Sequence, residues 1–173
     1  MRRGIVPAAI LIAMGWNMAQ FAAHLTSDAV ASGAAFAGKK ALFAHFGAAA
    51  AAAYGLDADE VVERITERER LGSTGFGKGV AIPHGKIAAL DHIVALFARA
   101  EPGIEYDAVD GLPVDLIFCL LSPPDAGATH LKALAEVSRA LRDPVFVAKL
   151  RGAGSTDALC ALLGVEEEAQ HAA

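Results

Sequence analysis

From Leu42 onward the apolar positions fall into a helical rhythm. Leu42, Phe46, Ala49 and Ala53 recur at i, i+4, i+7 and i+11, which predicts a helix over about 39–54. The alanine run at 48–53 supports it, because alanine is the best helix former, and Gly55 is the expected stop. Asp57 with Glu60 three residues on has the spacing of a capping box. It opens a second helix with Val61, Val62 and Ile65 on its apolar side and Gly72 as its stop. The rhythm then changes. Residues 80–82 read as a short strand broken by Pro83, and 93–97 (IVALF) and 116–121 (LIFCLL) are apolar without alternation. Such runs suit strands covered on both faces, as in a sheet with helices on either side. Between them 101–111 contains Pro102, Gly103 and Asp110-Gly111, with 104–106 read as an edge strand. Leu134, Val137 and Leu141 set a further helix over 131–142, and shorter ones follow over 144–151 and 155–163. The pattern predicts an α/β fold: a single domain with a mixed, mostly parallel β-sheet flanked by α-helices.

A chain of 173 residues is long enough to bury a core of its own. Its formal net charge of −5, without a run of Lys or Arg, argues against nucleic acid as the main partner. Cys119 and Cys160 lie far apart and read as buried free thiols, which fits a reducing cytoplasm. The start of the chain has two readings. Arg2 and Arg3 before an uncharged stretch over 4–23 look like a signal peptide, whereas an extension over 1–17 with the natural start at Met14 or Met18 is the plainer account. Pro7, Gly15, Asn17 and Gln20 interrupt the stretch too often for membrane insertion. The polar segment over 165–173 reads as a flexible tail.

Chemistry concentrates between Arg68 and Lys86, RERLGSTGFGKGVAIPHGK, where five glycines precede or flank His84. Glycine-dense backbone can turn its N–H groups on an anion, and a histidine there can serve as base, metal ligand or phosphoryl acceptor. Gly72 to Lys78 fits most of a nucleotide-binding P-loop, but Gly79 replaces the magnesium-binding hydroxyl and the loop runs helix to strand. A loop rich in glycine only for tight turning would leave the histidine unexplained. No two of the six histidines have metal-ligand spacing, so nothing points to a metal. His24, His92 and His171 read as surface residues, and His45 as a residue of the helix surface. His130 precedes Leu134, Val137 and Leu141 by four, seven and eleven residues, which puts it on the inward face of its helix in the first turn. There it is either a satisfied core histidine or a neutral donor to a phosphoryl group. Arg68, three residues after Ile65 and seven after Val61, is expected on the inward side of the second helix. An inward guanidinium needs an anion, either a structural carboxylate or a bound phosphate, and Glu69 is available as a structural partner or to orient the loop.

Arg68-Glu69, GSTGFGKG and VAIPHGK together resemble the active-site signature of the fructose/mannitol-type IIA domains of the bacterial phosphotransferase system. The GST spelling resembles their nitrogen-regulatory branch. The likeness runs over about 18–164 and takes in YDAVDGLPVDLIFCLLSP and THLKAL. It implies a mixed sheet flanked by helices, with His84 as the phosphorylated histidine, and His130 and Arg68 as its companions. Gly72, Ser73, Thr74, Gly75, Gly77 and Gly79 are the expected phosphoryl-binding loop. It further implies a cytoplasmic, regulatory phosphocarrier without metal or organic cofactor. The carrier would be charged by an HPr- or NPr-like phosphohistidine carrier protein, and potassium-transport regulators or sensor kinases would be its readers. The alternatives are a sugar-specific IIA component passing phosphate to a IIB domain, and a binding module without phosphoryl chemistry.

Overall fold

The structure, a computed structural model, describes residues 23–165. The two readings of the chain start, and all of the tail beyond Val165, lie outside the described residues. After a single 3-10 turn (Ser27–Ala29) come β1 (Val30–Ala34), α1 (Lys39–Tyr54) and α2 (Ala58–Arg70). Next are β2 (Gly75–Gly77), β3 (Val80–Ala81), β4 (His84–Lys86), β5 (Val94–Ile104) and β6 (Val114–Ser122). The helices α3 (Gly127–Ala140), α4 (Pro144–Gly152) and α5 (Thr156–Leu162) complete the order.

The sheet runs β1-β5-β6-β3-β2, with β4 also paired to β6. It is mixed. β1 with β5, β3 with β6 and β4 with β6 are parallel, while the long β5–β6 ladder and the β2–β3 hairpin are antiparallel. The two continuous apolar runs are its centre: Leu96, Phe97, Leu116, Ile117, Phe118, Leu120 and Leu121 are all essentially without solvent contact. Phe97 and Phe118 pack edge to face across the ladder at 6.1 Å. Five helices flank the sheet among the described residues, with α1 against β5, α2 against β4, α3 against β6 and α5 against β1.

The predicted stop of α1 and the predicted start of α2 each have a visible cause. Gly55 closes α1 in the left-handed conformation, at φ 67°. The Asp57 side chain accepts the Glu60 N–H at 2.9 Å and caps α2. α1 and α2 lie close because Gly47 has no side chain: a Cβ there would stand 2.7 Å from the Ala58 carbonyl oxygen and 2.8 Å from Val62. One element differs from expectation. Residues 104–106 are no separate edge strand, because β5 itself continues through Pro102 and Gly103 to Ile104. Its register shifts between Arg99 and Ile104, so proline falls where the ladder is already irregular and its missing N–H costs no pairing. Tyr106 beyond it is wholly buried. His45 is half-buried against the rings of Phe36 and Phe46, and the half-buried His24 bonds the Ile93 carbonyl through Nδ1 at 3.1 Å, while His92 is exposed as expected.

Candidate functional site

β3 and β4 pair in tandem with the same edge of β6, Val80 opposite Leu116 and His84 opposite Leu120. The two residues between them, Ile82 and Pro83, interrupt the strand. The Pro83 carbonyl still accepts from Leu120 N–H at 3.1 Å, but the Ile82 carbonyl is left over from the ladder and meets His84 Nδ1 at 2.9 Å. A carbonyl only accepts, so Nδ1 carries the proton and Nε2 holds the lone pair. Arg68 donates its Nε–H to that lone pair at 3.1 Å and an Nη1–H to the Gly72 carbonyl at 2.9 Å. His84 is half-buried, and burial holds its pKa below the usual histidine value. The Ile82 bond opposes that shift, and the Arg68 charge adds to it.

His130, buried in the first turn of α3, faces His84 with ring centroids 5.5 Å apart. Its Nδ1 pairs with the Ser122 hydroxyl, which fixes the ring at the end of β6. Its pKa is also lowered, first by burial and then by His84 and Lys86. Both imidazoles are therefore held toward the neutral form. A shallow depression of about 450 Å³ opens over them, lined by Arg64, Glu67, Arg68, Leu71, His84, Gly85, Lys86 and His130. Gly85 lets β4 lie against α2, since a Cβ there would come 3.1 Å from the Arg64 Cβ.

The structure brings Arg68, His84 and His130 together, with one change of phase. The inward positions of α2 are Val61, Ile65 and Glu69, and Arg68 sits half-buried on the flank of that face. Buried Glu69 accepts from Lys39 Nζ at 3.0 Å and from Thr74 N–H at 3.1 Å, and it bonds the Thr74 hydroxyl. Tyr106 OH closes the cluster 2.9 Å from Thr74 Oγ1. Thr74 in turn accepts the Ile82 N–H at 3.0 Å, so Glu69 supports the backbone that presents His84.

The glycine-rich loop divides in two. Gly72 borders the site through its carbonyl, which accepts from Arg68, whereas Ser73 Oγ accepts the Gly75 N–H at 3.2 Å, the Thr74 N–H is taken by Glu69 and Gly75 abuts Ala108, 2.8 Å from where a Cβ would stand. Gly77 and Gly79 form the β2–β3 turn, four residues down β6 from His84, or about 13 Å at strand spacing. There Lys78 takes φ 56°, its N–H bonds Asp110 at 2.8 Å and its carbonyl accepts from Arg151 at 2.7 Å. A Cβ on Gly79 would stand 2.4 Å from Arg151 and 2.7 Å from Asp115, which form an ion pair over the turn. These two glycines serve the hairpin, and the structure does not bring them to His84. Two contacts escaped sequence reasoning. The Ile82 carbonyl has no side-chain signal, and Ser122 was visible only as a lone hydroxyl ending an apolar run.

Two facing histidines held toward the neutral form, with a guanidinium on the open lone pair, suit the movement of an anionic group onto an imidazole. The family model described as phosphoenolpyruvate-dependent sugar phosphotransferase system, EIIA 2, matches residues 23–164. The chain belongs to that family of phosphoryl-transfer components. Within it, the chain is 45% identical over 127 residues to a nitrogen regulatory protein of Bradyrhizobium diazoefficiens, covering 73% of this chain and 83% of the relative. A nitrogen regulatory protein homolog of Haemophilus influenzae is 36% identical over 151 residues, covering 84% and 92%. Among solved structures, nitrogen regulatory protein IIA-Ntr of Neisseria meningitidis superposes with a TM-score of 0.77 at 33% identity, covering 82% of this chain and 97% of that one. The mannitol IIA of Escherichia coli shares the fold, with a TM-score of 0.66 at 21% identity over 79% and 96%. No helix among the described residues is long and apolar enough to cross a membrane.

Proposed function

We propose that this protein is a regulatory phosphocarrier that accepts a phosphoryl group on Nε2 of His84 from a phosphohistidine carrier protein charged from phosphoenolpyruvate. The observation that carries the reading is the Ile82 carbonyl on Nδ1, which leaves Nε2 as the nucleophile on the open side of the ring. The Nε2 lone pair forms the new N–P bond, and the carrier's N–P bond breaks with its electron pair returning to the carrier imidazole. The positive charge that develops on the His84 ring is met by the Ile82 carbonyl dipole, and the proton stays on Nδ1. Charge on the transferring oxygens is met by Arg68 and by His130, to whose Nε2 no described residue is hydrogen-bonded. We place the working unit at 18–164, in the cytoplasm, acting without metal or cofactor.

Likeness to proteins named nitrogen regulatory protein supports regulation over sugar transport. Potassium-transport regulators and sensor kinases are then the proposed readers of the phosphorylated state. Incubation with phosphorylated carrier tests the acceptor. His84→Ala should take no label, and His130→Ala should be labelled roughly 100-fold more slowly, the usual cost of one transition-state donor. A phosphohistidine label surviving in His84→Ala overturns the assignment. Rapid onward transfer to a fructose- or mannitol-type IIB would replace the regulatory role with a sugar-specific one.

A further inference from the structure

The lone pair that must attack is the one Arg68 already holds. We propose that phosphorylation of His84 uncaps the Gly72 carbonyl on the protein surface, so that the 71–73 segment displays the state of the site to protein partners. The proposal rests on Nε2 being the acceptor. An imidazole nitrogen has one in-plane lone pair, and once it forms the bond to phosphorus the Arg68 Nε–H has no acceptor there. A guanidinium beside a phosphoryl dianion turns to its oxygens, where charge-assisted bonds are stronger. The guanidinium is one rigid plane, so turning Nε also takes Nη1 away from the Gly72 carbonyl.

The surroundings channel that change to one peptide. Thr74 is anchored by the buried Glu69, and β4 packs closely against α2 at Gly85, where an added Cβ would stand 3.1 Å from the Arg64 Cβ. The Leu71 and Gly72 N–H groups stay bonded to the last carbonyls of α2. Gly72 faces open space: a Cβ there would meet nothing within 4 Å. The free variable is the Gly72–Ser73 peptide. Beside it stands Leu71, 85% exposed and the most exposed large apolar side chain among the described residues. A partner with an apolar pocket for Leu71 and an N–H or O–H donor above Gly72 would find a capped carbonyl in one state and a free acceptor in the other.

The test is NMR on the full chain labelled with carbon-13 and nitrogen-15, before and after phosphorylation by the carrier. Phosphorylation should move the Gly72 carbonyl-carbon resonance upfield and shift the Ser73 amide and the Arg68 Nε–H, with Thr74 N–H unmoved. Unphosphorylated Arg68→Met should already show the Gly72 carbonyl resonance of the phosphorylated wild type. Should that variant fail to fold, the wild-type comparison decides by itself. An unmoved Gly72 carbonyl in a sample phosphorylated on His84 overturns the proposal. Absence of label on His84 overturns the acceptor assignment instead, and the two failures are read from separate signals.

Discussion

An imidazole is a nucleophile only in its neutral form, and both site histidines are pushed toward it, chiefly by burial. A lowered folded pKa means that the folded state resists protonation more than the unfolded chain does. Above the ordinary value of 6.5 both states are neutral and the histidines cost nothing. As pH falls below 6.5 the unfolded chain protonates first, so stability drops until the folded-state pKa values are passed. Urea midpoints should therefore fall from pH 7.5 to pH 5.5, and a His84→Gln, His130→Gln double variant should fall less. The rate of phosphoryl acceptance against pH should have its acid limb below 6.5; a limb above 6.5 would contradict the burial argument. Glu69→Gln keeps an acceptor for Thr74 but removes the charge facing Lys39. A loss of about 1–3 kcal/mol in denaturant unfolding is expected, the range for breaking a buried charge-assisted bond.

Elements with a helical period or an unbroken apolar run were legible, and those with neither were not. α1 and α2 agree with their predicted spans because alanine content, a capping aspartate and a glycine stop all point the same way. β1 and β4, VASGA and HGK, carry little apolar pattern and exist as strands because β5 and β6 offer them edges. The site was read in the same uneven way. His84 and His130 stood out by context and helix phase, while a one-residue error of phase on α2 set Arg68 inward where Glu69 belongs. Glycine density at 72–79 looked like a single feature, yet its far half answers to Arg151 and Asp110 rather than to an anion. Two substitutions separate these roles. Gly79→Ala should destabilise the fold by about 1–3 kcal/mol through overpacking and a strained φ, with acceptance by the folded protein little changed. Gly85→Ala drives β4 off α2 and should slow acceptance in protein that remains folded, as judged by circular dichroism and labelling rate together.

At the scale of the whole molecule, one cluster of apolar residues joins the central strands to the helices around them. Cys119 lies at its centre on β6, wholly buried, with its thiol pKa pushed up by desolvation. It should resist alkylation in native protein and react only as the fold opens, so labelling kinetics of Cys119 report global unfolding. Fast labelling under native conditions would show that the sheet opens locally.

The interruption at Ile82 and Pro83 carries a practical consequence. The contact that leaves Nε2 as the open nitrogen of His84 comes from a main-chain oxygen, which every residue type at position 82 supplies. An alanine scan would pass over one of the three groups that govern this ring. Replacing the Ile82 carbonyl oxygen with sulfur, as a thioamide introduced by chemical ligation, would weaken it as an acceptor and leave every side chain, the Pro83 ring included, in place. Under the proposed assignment the acceptor nitrogen of His84 is set by where a strand stops, and not by the identity of any side chain at position 82.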